Sequence, residues 1–258
     1  MMKFERNFSL KGKKALITGG NSGIGLAIAR AFVLGGATVA ISGRNSARNR
    51  NAIAILRKLN KKCHAFTFAL ENTADLPSFY SAVSEKMGGL DILVNCAGAH
   101  YRERAERAKL SRIEYVVKVN LIAPYILSQC FARECIENNK KGCIIMIASL
   151  MSESARPGTS VYTMTKGGIR QLVKALAVDW APFGIRVNGI GPGYIKTPMT
   201  EPLYTDSEFD AWVRQRTPLG RWGMPEDVTG TAVFLASDAS AFITGQIIYV
   251  DGGWLATF

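Results

Sequence analysis

Lys13-Lys14-Ala15-Leu16-Ile17-Thr18-Gly19-Gly20-Asn21-Ser22-Gly23-Ile24-Gly25 sets a compact apolar run against an abrupt cluster of small residues. The run has the composition of a buried strand, and the stretch from Gly25 to about Gly35 reads as a helix. A strand, a glycine-rich turn and a helix in that order aim backbone N–H groups and the positive helix end at an anion. Small residues there let a pyrophosphate reach the backbone, and Gly19, Asn21, Ser22, Gly23, Ile24 and Gly25 are the candidate contacts. The spacing, Thr-Gly-x-x-x-Gly-x-Gly, is looser than the three-glycine dinucleotide fingerprint. Glycines in turns also serve structure alone, so the neighbouring segments must decide.

Working outward, Ala37 to Ser42 predicts a second strand that ends at Gly43-Arg44-Asn45. At that position an acidic residue suits the ribose of NAD and an Arg suits the 2′-phosphate of NADP. The acid is missing and Arg44 is present, which favours NADP over NAD, with Ser42 and Asn45 assisting. An ordinary surface Arg is the competing reading. A helix over 46–60, a strand from His64 to Ala69 and a helix over 74–87 follow, with His64 read as structural. The next strand, Asp91 to Gly98, ends in Ala97 and Gly98, where a cofactor ring or sugar could lie against the backbone. Asn95 either touches that cofactor or ties adjacent strands together. From Ala105 to about Asn138 the chain reads helical, and Asn120, amid apolar neighbours, needs hydrogen-bond partners if buried. It could bend the helix or hold a water.

A strand ending at Ser149, a helix to about Trp180 and a strand from Ile185 to Ile190 come next, then a turn through Pro192, Gly193, Ile195 and Thr197. The segment from about 194 to 223, carrying Trp212, Arg214, Arg216, Arg221 and Trp222, breaks the rhythm and is placed to act as a substrate lid. A helix from Pro225 to about Ser237 and a strand from Gln246 to Val250 complete seven strands alternating with helices. This alternation predicts an α/β fold: one Rossmann-type domain over residues 1–258, a doubly wound parallel seven-stranded sheet with helices on both faces.

Composition agrees with a single core, since 258 residues at 48% hydrophobic content suffice for one domain and are short for two. The net charge of +12 invites a nucleic-acid or membrane reading. Its cations are dispersed, however, and their densest groups, Arg57 to Lys62 and Arg102 to Arg112, lack interleaved aromatic rows, so no specific nucleic acid is expected. Five cysteines form no Cys-x-x-Cys pair and two histidines, His64 and His100, add no metal-ligand pattern, so no metal is expected and the thiols read as reduced. Met1-Met2-Lys3-Phe4-Glu5-Arg6 precedes no apolar run, and no stretch of about 18 apolar residues suggests a membrane span, so the expectation is a soluble, cytoplasmic protein.

Chemistry concentrates at Ser149 and at Tyr162-Thr163-Met164-Thr165-Lys166. A Tyr and a Lys four apart share one face of a helix, so the ammonium can lower the phenol pKa toward the range that acid/base catalysis needs. Taken alone, that spacing is frequent by chance.

In register, these pieces resemble the short-chain dehydrogenase/reductase family over essentially the whole chain. The resemblance rests on Thr18-Gly19-x-x-x-Gly23-x-Gly25, Asn95-x-Ala97-Gly98, Asn120, Ser149, Tyr162-x-x-x-Lys166 and Pro192-Gly193. It implies that Tyr162 exchanges the proton, Ser149 orients the substrate oxygen, and Lys166 binds the nicotinamide ribose while lowering the Tyr pKa. It further implies that Asn120 holds a water linking Lys166 to solvent, that Thr197 contacts the carboxamide and that the protein is a homotetramer. Cys96 stands where the family more often has a second Asn, and Ala69 or Glu71 stands near a usual Asp that contacts adenine.

Several segments resemble the sugar-acid members, specifically the gluconate 5-dehydrogenases: Ala155 to Gly158, Thr217 to Gly223, Ala236 to Ser240 and Tyr249 to Gly253. Arg102 and Arg156 follow the fourth and fifth strands, where either could clamp a sugar-acid carboxylate, salt bridges being the alternative. The resulting expectation is hydride transfer between NADP(H) and a ketone or secondary alcohol, such as 5-ketogluconate and gluconate. A 3-oxoacyl-(acyl-carrier-protein) reductase is the alternative within the enzyme class, and a non-catalytic nucleotide-binding scaffold the alternative outside it.

Overall fold

The computed structural model describes residues 7–257, so Met1 to Arg6, read above for a leader, lies outside the described residues. Its strands are β1 (Lys14–Thr18), β2 (Thr38–Gly43), β3 (His64–Thr67), β4 (Ile92–Asn95), β5 (Gly142–Ile147), β6 (Ile185–Pro192) and β7 (Ile247–Val250). They form one seven-stranded sheet in the order β3-β2-β1-β4-β5-β6-β7. All six pairings are parallel. Strand order reverses between β1 and β4, where Thr18 lies opposite Asn95, and the carboxyl ends of strands at such a reversal open a crevice for a ligand.

The helices needed for parallel crossovers cover both faces. On one side α1 (Gly23–Leu34) and α2 (Ser46–Leu59) pack with a late helix, Pro225–Ala236, around Ile28, Phe32, Val39, Leu56 and Leu235. On the other, α3 (Leu76–Met87), α5 (Ala123–Glu137) and α6 (Ser160–Trp180) enclose Leu76, Leu93, Leu127, Phe131 and Val173. The strands are apolar on both sides, as Leu16 and Ile17 each being fully buried illustrates.

The region read as one helix from Ala105 to Asn138 is divided. A short 3₁₀ turn, Ala105–Arg107, precedes α4 (Leu110–Val117), and a π-turn, Lys118–Ile122, joins α4 to α5. Asn120 sits inside that π-turn. One 18-residue window of the 28-residue stretch Leu110–Glu137 reaches a mean hydropathy of 1.2, enough for a membrane span by length and composition alone and equally met by core helices. Half of that window is buried inside the fold.

The insertion after β6 contains α7 (Glu201–Tyr204) and α8 (Ser207–Arg216), and α9 (Pro225–Ala236) follows it. An isolated parallel bridge between Ile195 and Gly223 closes its base. Lys196 donates its backbone N–H to Gly223 and Gly223 donates to Tyr194, each at 2.9 Å. The intervening chain therefore leaves and returns at one point of the sheet. Its interior is aromatic: Tyr194 packs within 6.0 Å, ring centre to ring centre, of Phe209, Trp212, Trp222 and Trp254.

Candidate active site

A single cavity of about 940 Å³ runs across the carboxyl ends of the strands. That volume lies near the top of the range for small-molecule sites. Its floor is the glycine-rich turn, with Gly19, Asn21, Ser22, Gly23, Ile24 and Gly25 all lining it. Gly19 adopts φ +67°, and a Cβ there would lie 2.9 Å from the Ala97 Cα, so the two loops touch backbone to backbone. A Cβ on Gly25 would strike the Gly19 carbonyl, which makes the tight entry into α1 a glycine requirement. Thr18 secures the opposite loop, its hydroxyl accepting from the backbone N–H of Cys96 at 3.0 Å and of Ala97 at 3.2 Å.

Ala97, Gly98, Pro192, Gly193, Ile195 and Thr197 line the cavity. So do Ser149, Tyr162 and Lys166, which the fold collects from β5 and α6. Ser149 follows β5 and caps the next turn, its Oγ accepting from the Met151 N–H at 3.2 Å. Lys166 lies one helical turn beyond Tyr162, its Nζ 5.6 Å from the centre of the Tyr162 ring. The buried Nζ donates to the Ile147 carbonyl at 2.6 Å.

Electrostatics at this trio depart from the expected direction. Burial pushes the Tyr162 phenol up to about 12, while Ser149 beside it pulls the other way. Burial also pushes the Lys166 ammonium down to about 8. A cation lowers a neighbouring phenol only as far as its field outweighs the loss of water around both groups, and here the loss of water is the larger effect. Tyr162 is therefore a protonated hydroxyl at neutral pH.

Two anticipated residues stand behind the cavity wall. The Asn95 side chain is buried and donates to the Ser128 hydroxyl at 3.1 Å, tying β4 to α5 rather than facing the cleft. Its Oδ1 is buried without a partner among the described residues. Asn120 exchanges two hydrogen bonds with the Ala99 backbone, at 2.7 and 2.9 Å, and donates to Thr165 at 3.1 Å. It thus clamps the loop after β4 to α6, the helix that carries Tyr162 and Lys166.

At the other end, Arg44 lines the cavity beside Ser42, Asn45 and Arg48. Asn45 caps α2, its side chain accepting from the Arg48 N–H at 2.9 Å. Arg44 donates through Nη1 to the Tyr115 hydroxyl at 2.6 Å, reaching across from the end of β2 to α4. The Arg112 guanidinium lies over the Tyr115 ring at 5.3 Å and over Tyr101 at 5.5 Å. Three arginines and a tyrosine thus gather at this mouth. Arg112 and Tyr115 were not legible in sequence, because only the fold brings α4 against the end of β2. Phe68, Leu70 and Glu71 line the same end, whereas Ala69 does not.

Arg102 and Arg156 lie outside the main cavity's lining and beside the insertion. Arg156 donates to the Tyr194 hydroxyl at 2.7 Å and lies over the Phe209 and Trp212 rings at 4.6 and 5.1 Å. Arg102 lies 5.9 Å over Phe209. Neither is paired with a carboxylate among the described residues, which removes the salt-bridge alternative within the chain. Burial and the Arg156 charge together lower the Arg102 pKa. His100 belongs to the same group: its ring packs 4.6 Å from that of Tyr162, and it too was missed in sequence.

Residues 19–255 match the family profile described as "Enoyl-(Acyl carrier protein) reductase". The chain belongs to the short-chain dehydrogenase/reductase family. It is accordingly an oxidoreductase of CH–OH groups. Among its relatives is the gluconate 5-dehydrogenase of Gluconobacter oxydans, 39% identical over 246 residues, covering 95% of this chain and 96% of that one. The 2-dehydro-3-deoxy-D-gluconate 5-dehydrogenase of Formosa agariphila is 38% identical over 97% of this chain and 95% of its own length. A gluconate 5-dehydrogenase from Burkholderia cenocepacia, solved in complex with NADP and tartrate, superposes with a TM-score of 0.94 at 36% identity, covering 99% of this chain and all of that one. Ser149, Tyr162 and Lys166 lie together in this cleft, which the glycine turn and Arg44 also line.

Proposed function

We propose that this chain is an NADP(H)-dependent oxidoreductase interconverting a sugar acid or polyol and its ketone, with gluconate and 5-ketogluconate the first pair to test. The observation that carries the substrate class is the pair Arg102 and Arg156, two guanidinium groups beside Tyr162's neighbour His100 with no carboxylate partner among the described residues. Two unpaired cations in a part-buried site favour an anionic substrate, and guanidinium geometry suits a carboxylate. The tartrate bound by the Burkholderia cenocepacia relative, a small hydroxylated dicarboxylate, supports the same class.

Residues of the cleft fit a nicotinamide dinucleotide. Gly19 and Asn21 to Gly25 line the cavity, and the backbone N–H groups of this turn would hold the pyrophosphate. Arg44, Arg48 and Arg112 offer cations where a 2′-phosphate would lie, and no acidic residue occupies the end of β2. When bound, the cofactor supplies the hydride. Tyr162 hands its phenolic proton to the ketone oxygen in reduction and takes it back in oxidation, while Ser149 holds that oxygen in place. Lys166, with one ammonium hydrogen spent on the Ile147 carbonyl, would hold the nucleotide's sugar with those that remain. Asn120 serves by fixing the Ala99 loop against α6.

The segment 194–223, hinged at the Ile195–Gly223 bridge, acts as a lid over the reacting end. Leu110, Ile122, Tyr125 and Met164, exposed at 68, 38, 45 and 52% on α4 to α6, support a homotetramer assembled through those helices. Five free thiols are compatible with the cytoplasm.

Saturable NADPH oxidation with 5-ketogluconate, and none with an acetoacetyl thioester, is the expected result. The reverse pattern would replace this reading with a 3-oxoacyl-(acyl-carrier-protein) reductase. Cofactor binding without turnover on a broad carbonyl panel would replace it with a nucleotide-binding scaffold.

A further inference from the structure

His100 lies five positions past the end of β4, in the wall of the cleft that also holds Ser149 and Tyr162. Its ring packs on the Tyr162 ring at 4.6 Å and a 31° tilt, so it is held beside the proton donor rather than swinging in solvent. The side chain is half-buried, yet neither ring nitrogen has a hydrogen-bond partner among the described residues. An imidazole fixed by stacking, with both nitrogens unspent, at the reacting end of a cleft points to a ligand group.

Donor and acceptor inventory narrows what that group is. Arg102 and Arg156 are donors only and suit a carboxylate, and the hydroxyls of Ser149 and Tyr162 are committed to the reacting oxygen. A substrate hydroxyl must both accept and donate, and its own proton finds no acceptor among the guanidinium groups. Imidazole offers one donor and one acceptor while uncharged. Burial, then the Arg102 and Arg156 charges, push His100 down to about 4, which keeps it uncharged at neutral pH and its acceptor available. No carboxylate faces it to reverse that preference.

We propose that His100 is a specificity-determining residue that hydrogen-bonds a hydroxyl on a carbon next to the reacting carbonyl, selecting polyhydroxylated ketones over plain ones. This rests on the sugar-acid reading for the overall substrate class and adds the part of the substrate that His100 reads. A site built around a substrate hydroxyl rejects the analogue lacking it because its own polar group is left unpaired.

Two ketones separate this from a packing role: 5-ketogluconate, with hydroxyls beside its carbonyl, and levulinate, a keto acid with a carboxylate and no hydroxyl. In His100→Leu the kcat/KM preference for 5-ketogluconate over levulinate should fall by about tenfold or more, and His100→Gln, which keeps a donor and an acceptor, should retain most of it. NADPH affinity, read by fluorescence, checks that each variant is folded. A preference unchanged in His100→Leu overturns the proposal, as does an equal loss on both ketones, which would mean the ring only supports Tyr162. If wild-type enzyme ignores both acids, the sugar-acid reading fails by itself. The same ratio is then measured on hydroxyacetone and acetone, where an unchanged preference overturns the role of His100 and a collapsed one upholds it.

Discussion

Lys166 and Tyr162 stand one helical turn apart, and the Lys166 Nζ spends its shortest hydrogen bond, 2.6 Å, on the Ile147 carbonyl rather than on the phenol. With the phenol pushed up to about 12 by burial, Tyr162 carries its proton throughout the neutral range. Ketone reduction, which consumes that proton, should be nearly independent of pH around neutrality. Alcohol oxidation, which needs the phenolate, should rise with pH. Tyr162→Phe should lose on the order of 10²- to 10⁴-fold in kcat in both directions while keeping NADPH affinity. Oxidation that slows as pH is raised from neutral would contradict the assignment.

Arg44 is held at the mouth of the cleft by the Tyr115 hydroxyl at 2.6 Å, which leaves its other guanidinium hydrogens for the proposed 2′-phosphate. Tyr115→Phe keeps the ring beneath Arg112 and frees Arg44 to wander. One hydrogen bond to a charged group at an exposed site implies a rise of roughly fivefold in the NADPH dissociation constant, with NADH unaffected. Arg44→Asp should go further and invert the preference. Fluorescence titration with both cofactors reads each outcome, and an unchanged NADPH-to-NADH ratio in Arg44→Asp would remove the 2′-phosphate assignment.

Arg102→Met and Arg156→Met each delete a cation while retaining most of the side-chain volume. Loss of a charge-assisted contact to a carboxylate should lower kcat/KM for 5-ketogluconate by about 10- to 100-fold, mostly through KM. A neutral ketose should feel Arg102→Met little, because the contact it lacks is the one removed. Arg156→Met should also loosen the insertion, since Arg156 holds the Tyr194 hydroxyl at 2.7 Å. Faster proteolysis within 194–223 in Arg156→Met, but not in Arg102→Met, checks that second role.

Both histidines bind protons less readily in the folded chain than at their ordinary value near 6.5: burial lowers His64, and burial with two arginines lowers His100 to about 4. Between these limits the unfolded chain binds more protons than the native one, so stability rises with pH through this window and falls on acidification. His100→Gln should flatten that dependence between about pH 4 and 6.5, as followed by the urea midpoint at several pH values. A slope unaltered by the substitution would place His100 in solvent.

Much of the fold was legible because its signals are local. Strands β1, β4 and β5 are apolar runs bounded by small or polar residues, and the run before Gly19 needs burial on both faces whatever follows it. The grouping of Ser149, Tyr162 and Lys166 was legible for the same reason, since Tyr162 and Lys166 share a helix and Ser149 comes just after the end of β5 at Ile147. Asn95 and Asn120 read less clearly. Composition shows that a buried amide must be satisfied, but their partners, Ser128 and Ala99, are 33 and 21 positions away.

By itself, then, the sequence determined the alternation of strands and helices, the glycine turn and the acid/base spacing, all set by periodicity and by residues within a few turns of one another. Tertiary structure alone decided that Tyr115 and Arg112 meet Arg44, that His100 packs on Tyr162, and that Arg156 joins Arg102 beside the aromatic insertion. It also decided the direction of the Tyr162 and Lys166 pKa shifts. Those outcomes depend on distances through space and on how much water each group gives up, and neither quantity is carried by order along the chain.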